Sequence, residues 1–221
     1  MSAKEGKVDF SLYLITDRQA LSPGRELLTT VAAALRGGVQ AVQLREKDLP
    51  AAELYQLALA LRRLTREFGA RLMINDRIDL ALAIDADGVH LGNHSLPVAV
   101  ARQLLGEDRI IGVSTHHPEE ACRAAAAGAD FVTCGPVYAT PSKALYGPPL
   151  GLDAFAVACS LAPVPVFALG GVTLARLSEL RAVGCVHVAM IGAILYTDDP
   201  ETAAREVLQG LAEIPFSESV P

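Results

Sequence analysis

The stretch "RGGVQAVQLREKD", Arg36 to Asp48, reads as a helix end, a glycine turn, a buried strand and an abruptly charged close. Gly37 and Gly38 can end the helix in the left-handed conformation. The run "AVQLRE" (41–46) is short and almost continuously apolar, as expected of a parallel strand covered on both faces. The same pattern recurs along the chain. Strands are predicted at 12–17 ("LYLITD"), 41–46, 71–76 ("RLMIND"), 88–92 ("GVHLG"), 109–115 ("RIIGVST"), 130–137 ("DFVTCGPV"), 163–171 ("PVPVFALGG") and 187–192 ("HVAMIG"). Helical periodicity falls between them, near 25–37, 51–68, 78–85, 97–105, 118–127, 152–161, 173–182 and 199–213. Leu54, Leu57, Leu61 and Leu64 show the spacing that builds one apolar helix face. Eight β-α units predict a single-domain (β/α)8 TIM barrel over 1–221, with 1–10 and 214–221 as flexible tails. An open doubly wound sheet is the alternative, because periodicity does not report closure.

The chain of 221 residues is 51% hydrophobic and carries a net charge of −6. That balance offers no general basic face for nucleic acid or an anionic membrane, so any phosphate-bearing ligand must be met by local cations. The stretch "MSAKEGKVDF" has no apolar segment, and no run approaches the length of a membrane span, which predicts a cytoplasmic protein. The four cysteines, 122, 134, 159 and 185, lack metal or disulfide spacing and read as small buried apolar residues.

In such a barrel, chemistry belongs at the C-terminal ends of the strands. The residues closing each run are unusually polar: Thr16-Asp17, then Gln43, Arg45 and Lys47, then Asn75-Asp76, Asn93-His94-Ser95, Ser114-Thr115-His116, Gly170-Gly171 and Gly192. Alternation predicts that Gln43, Arg45 and Lys47 share one direction and form a cationic cup. The competing reading is a solvated strand end whose cations pair with Glu46 and Asp48. Asp76 beside the cup is a means of holding Mg²⁺ against a diphosphate. In "YATPSK", Thr140, Ser142 and Lys143 could meet an anion, and Gly171 and Gly192 offer backbone N–H groups for a second phosphate. Ser114 reads as a phosphate hydrogen-bonder, His116 as a candidate acid or base and His90 as structural.

The motifs "YLITD", "QLREK", "INDRIDLA", "ADGVHLG", "IGVSTH", "GADFVTCGPVYATPSK", "ALGGV" and "VAMIGAI" together resemble the thiamine phosphate synthase family over residues 12–200. The resemblance implies a (β/α)8 barrel that joins hydroxymethylpyrimidine diphosphate to a thiazole phosphate. It implies that Gln43, Arg45, Lys47, Asn75, Ser114 and Lys143 hold the pyrimidine diphosphate and that Asp76 binds Mg²⁺. Thr140, Ser142, Gly171, Ile191 and Gly192 would contact the thiazole phosphate. Catalysis would fall to Arg45, Lys47 and Lys143, stabilising pyrophosphate as it departs. The chain leaves the pattern at three places: Ser95 stands where the family's second metal aspartate is expected, "TPSK" replaces "TxTK", and Gly192 replaces a serine. Loss of the aspartate raises two alternatives. One is a thiazole tautomerase of the same superfamily, for which His116 would carry the proton, and the other is a non-catalytic barrel that binds thiamine precursors. A homo-oligomer is possible under each reading.

Overall fold

The computed structural model describes residues 6–140 and 148–212. Eight parallel strands close into a barrel in sequence order: β1 (Leu12–Ile15), β2 (Ala41–Leu44), β3 (Arg71–Asn75), β4 (Gly88–Leu91), β5 (Ile110–Thr115), β6 (Phe131–Cys134), β7 (Val166–Leu169) and β8 (Val188–Met190). Closure is made by β1 pairing with β8, Tyr13 opposite Ala189. The open-sheet alternative is therefore excluded. Around the barrel lie α1 (Leu27–Arg36), α2 (Ala51–Glu67), α3 (Ile78–Ala83), α4 (Val98–Leu105), α5 (Pro118–Ala126), α6 (Leu152–Leu161), α7 (Leu177–Ala182), α8 (Gly192–Leu195) and α9 (Pro200–Ala212). Among the described residues no helix is long and apolar enough to cross a membrane.

Two apolar layers follow from the strand pleat. Outward residues such as Leu14, Val42, Leu44, Ile74, Val89 and Val132 pack under the helices. Inward residues Tyr13, Ile15, Met73, Ile110, Phe131 and Phe167 fill the barrel, with Phe131 edge-on to Tyr13 at 5.3 Å and 5.1 Å from Phe167. Glycine at position 112 makes this possible, since a Cβ there would stand 2.3 Å from the Phe131 ring. Phe10, at the end of the expected flexible tail, is 3% exposed and plugs the barrel between Phe131 and Phe167. Its ring is held because it completes the aromatic filling.

The strands are shorter than the apolar runs suggest. β2 ends at Leu44, and residues 47 and 48 already form a turn. β6 ends at Cys134, ahead of a cis Gly135-Pro136 bond. At β2 the expected overshoot covers the charged Arg45 and Glu46, and at β6 it covers the Gly135-Pro136-Val137 turn that leaves the strand.

Candidate active site

A hydrogen-bonded chain crosses the floor of the C-terminal mouth. Gln43 Nε2 donates to the Tyr13 hydroxyl at 2.9 Å, the Tyr13 hydroxyl lies 3.4 Å from His90 Nδ1, and His90 Nε2 lies 3.0 Å from Ser114 Oγ. Thr133 Oγ1 lies 3.5 Å from the same Nε2. Tyr13 has one hydroxyl hydrogen and already accepts from Gln43, so that hydrogen goes to Nδ1. We therefore assign the Nε2–H tautomer, which donates to Ser114 and leaves the serine hydroxyl hydrogen available. Burial, assisted by the nearby Arg45 charge, lowers the His90 pKa to about 3, so the imidazole is neutral. Burial also holds the Tyr13 phenol well above its ordinary range. The floor is thus polar but uncharged. His90, expected to be structural, sits in this chain with its ring 5.7 Å from that of Tyr13.

Above the floor, acids and cations of "QLREKD" separate. Glu46 is 5% exposed and accepts the Arg18 N–H on both carboxylate oxygens, at 3.1 and 3.2 Å. Burial raises its pKa, opposed by the Thr16 hydroxyl and the Arg18 N–H and charge. Asp48 also pairs with Arg18. Thr16 accepts the Arg45 N–H at 2.9 Å while its own N–H donates to the Gln43 carbonyl, which ties the end of β1 to the end of β2. Both acids are therefore turned toward Arg18. Arg45 is half-buried and Lys47 exposed, and among the described residues neither makes an ion pair. The pairing of Glu46 and Asp48 with Arg45 and Lys47 does not occur. Because β2 has ended, the common direction of Gln43, Arg45 and Lys47 is not set by strand alternation beyond residue 44.

Asn75 closes β3 opposite His90 on β4. Asp76 follows in the left-handed region, φ 65°, with its N–H donating to the His90 carbonyl at 2.9 Å. The neighbouring Arg77 pairs with Asp79 at 2.6 Å, so the Asp76 carboxylate has no ion-pair partner among the described residues. Ser95 Oγ accepts the Gly92 N–H at 2.7 Å in the turn after β4. Among the described residues no three His, Cys, Asp or Glu side chains gather as a metal cluster. One free carboxylate does fit Mg²⁺ delivered by a diphosphate, since this ion keeps several waters and commonly uses only one or two carboxylates.

His116 stands on the rim, its N–H donating to Glu120 at 2.7 Å and its Nδ1 3.4 Å from the same carboxylate. Thr140 is half-buried, and Ser142 and Lys143 lie outside the described residues. Gly170 and Gly171 turn after β7 with φ of 91° and 66°, and Gly192 opens α8 directly after Ile191. A Cβ at Gly192 would meet the Tyr196 ring at 2.6 Å, and the Tyr196 hydroxyl donates to Asp17 at 2.7 Å. Cys134 is buried under the helices, and burial holds its thiol above the ordinary range. Tyr13, Arg18 and Thr133 were absent from the sequence candidates, and Thr16 was named there only as a polar strand end. A tyrosine in the otherwise apolar "LYLI" was the available signal.

Residues 12–194 match the family model described as thiamine monophosphate synthase. A protein of Geobacter sulfurreducens provisionally named a thiamine-phosphate synthase is 58% identical over 202 residues, covering 91% of this chain and 94% of that one. The thiamine-phosphate synthase of Synechocystis is 50% identical over 204 residues, 92% of this chain but 58% of that longer protein. The solved thiamine phosphate pyrophosphorylase of Pyrococcus furiosus superposes with a TM-score of 0.84 at 35% identity, covering 94% of this chain and 97% of the other. The chain belongs to the thiamine monophosphate synthase family.

Proposed function

We propose that the protein is a transferase that couples hydroxymethylpyrimidine diphosphate with thiazole phosphate to give thiamine phosphate and pyrophosphate. The observation that carries this reading is an uncharged hydrogen-bonding floor beneath two cations that make no ion pair among the described residues. A planar heteroaromatic ring needs neutral donors and acceptors, which Gln43, Tyr13, His90 and Ser114 supply. A diphosphate needs fixed positive charge, which Arg45 and Lys47 supply without having to break ion pairs. Asn75 and Lys143 complete its contacts in this reading.

The pyrimidine CH₂–O bond breaks with its electron pair passing to the departing pyrophosphate. The thiazole nitrogen then gives its lone pair to the methylene carbon and becomes the thiazolium, so no proton changes hands. Arg45 and Lys47 stabilise the charge that grows on the leaving group, an interaction stronger in the transition state than before it. A neutral His90 matters here, because an imidazolium would oppose positive charge growing on the methylene. Asp76 would hold Mg²⁺, which when bound adds positive charge beside the pyrophosphate. Gly171, Ile191 and Gly192, with Thr140 and Ser142, would receive the thiazole phosphate.

The test is to incubate the protein with both substrates and Mg²⁺. Thiamine phosphate and pyrophosphate should form in equal amounts, and neither should form when one substrate is omitted. Aromatisation of a thiazole carboxylate phosphate without coupling would replace this reading with the tautomerase.

A further inference from the structure

We propose that Arg176 is a positioning residue that fixes the Gly170-Gly171 turn in its anion-binding shape. This inference rests on the reading of that turn as a thiazole phosphate contact. Two successive glycines with positive φ form a turn whose peptide planes are intrinsically free to rotate. Arg176, in the short 3-10 turn Leu174–Arg176 ahead of α7, donates from Nη1 to the Gly171 carbonyl at 2.6 Å. In a trans peptide the next N–H points opposite to that carbonyl, so holding the Gly171 oxygen also fixes the direction of the Val172 N–H. Among the described residues the N–H groups of Gly171 and Val172 have no acceptor of their own.

The clasp is itself braced. The Arg176 guanidinium lies over the Tyr138 ring, 4.3 Å from its centroid, and the Tyr138 hydroxyl donates to Glu179 at 3.2 Å. The Tyr138 N–H donates to the Gly170 carbonyl at 3.1 Å, so both carbonyls of the glycine pair are held. The opposite side is closed as well, because a Cβ at Gly170 would meet Pro136 at 2.5 Å and one at Gly171 would meet Tyr138 at 2.8 Å. A guanidinium stacked on one face and hydrogen-bonded at its edge is a planar device that a lysine does not reproduce.

Steady-state coupling should be measured with thiazole phosphate and with the corresponding thiazole alcohol, in the wild type, Arg176→Ala, Arg176→Lys and Tyr138→Leu. Arg176→Ala is expected to raise KM for thiazole phosphate about tenfold, one hydrogen-bonded contact's worth. Its KM for the alcohol and for pyrimidine diphosphate should stay within about twofold, as for residues outside the contact. Arg176→Lys and Tyr138→Leu should give smaller rises in the same constant, and they carry the test if Arg176→Ala does not fold. A wild type that does not discriminate phosphate from alcohol would remove the phosphate reading of the turn, whatever Arg176 does. If the wild type discriminates and the variants do so equally, Arg176 does not position the turn. Equal weakening toward phosphate and alcohol would make its role structural only, and full activity in Arg176→Lys would make it a matter of charge alone. Either result overturns the proposal.

Discussion

The two ends of the barrel use the same residue types in opposite ways. At the N-terminal end, arginines and aspartates are matched: Arg62 with Asp87 at 2.5 Å, Arg102 with Asp130 at 2.5 Å, Arg71 with Asp9 at 2.7 Å and Arg109 with Asp85 at 3.0 Å. Asp87 and Asp130 are equivalent, each preceding a strand and each also accepting a backbone N–H at 2.7 Å from the strand before, Leu72 in one case and Ile111 in the other. At the C-terminal end Arg45, Lys47 and Asp76 stand without ion pairs among the described residues, and the one buried acid, Glu46, is satisfied by Arg18. Paired charge ties elements together, whereas unpaired charge at a mouth is available to a ligand.

This contrast separates stability from catalysis, and substitutions should separate them too. Asp130→Ala leaves Arg102 largely buried without its partner and should lower unfolding free energy by about 3 kcal/mol. Denaturant titration should show that loss, with both Michaelis constants unchanged wherever the variant is folded. Lys47→Ala should do the reverse. Its turnover should fall by the equivalent of about 2–4 kcal/mol of transition-state stabilisation, while its denaturation midpoint stays in place. A wild-type turnover number in folded Lys47→Ala would remove this residue from the diphosphate site.

The neutral floor sets a pH dependence. The folded state holds the His90 pKa at about 3, below the ordinary histidine value of 6.5. As pH falls below the unfolded value, the unfolded chain takes a proton that the folded chain refuses, so stability is lost through that window. The slope from this residue approaches about 1.4 kcal/mol per pH unit between pH 6 and 4. His187, whose pKa is also lowered by burial, adds in the same direction. His90→Asn should therefore flatten the profile by one proton rather than abolish it, as read by denaturation at several pH values. An unaltered slope would mean that His90 is not held neutral.

A smaller effect is expected at the metal position. Ser95→Asp should lower the Mg²⁺ concentration for half-maximal coupling by about fivefold, the effect of roughly 1 kcal/mol from an added exposed carboxylate. An unchanged Mg²⁺ titration would place Ser95 away from the ion.

Much of the barrel was legible because strands covered on both faces are apolar throughout and stand out from amphipathic helices. The same property concealed the floor. When both faces are buried, alternation carries no contrast, so "LYLI" and "GVHL" do not say whether Tyr13 and His90 face the helices or the interior. Ion pairing was hidden for a different reason. Glu46 and Asp48 converge on Arg18, about thirty residues earlier in sequence, through the pairing of β1 with β2 rather than local spacing. The short α8 is only four residues, less than a period can reveal. Arg176 falls inside the predicted helix 173–182 with nothing in the sequence to mark it, and only the folded turn brings it to the Gly171 carbonyl.

The most direct measurement of the contrast between the two ends is thermal unfolding with and without magnesium pyrophosphate. It should be made on the wild type, Lys47→Ala and Arg71→Ala. A ligand at 100 times its dissociation constant stabilises the folded state by about 2.7 kcal/mol. The wild type should therefore gain several degrees. Arg71→Ala should start from a lower midpoint yet gain as much, because its charge serves the N-terminal end. Lys47→Ala should start near the wild-type midpoint and lose most of the gain. If Lys47→Ala keeps the full gain while Arg71→Ala loses it, pyrophosphate binds at the N-terminal end and the assignment of the two mouths is wrong.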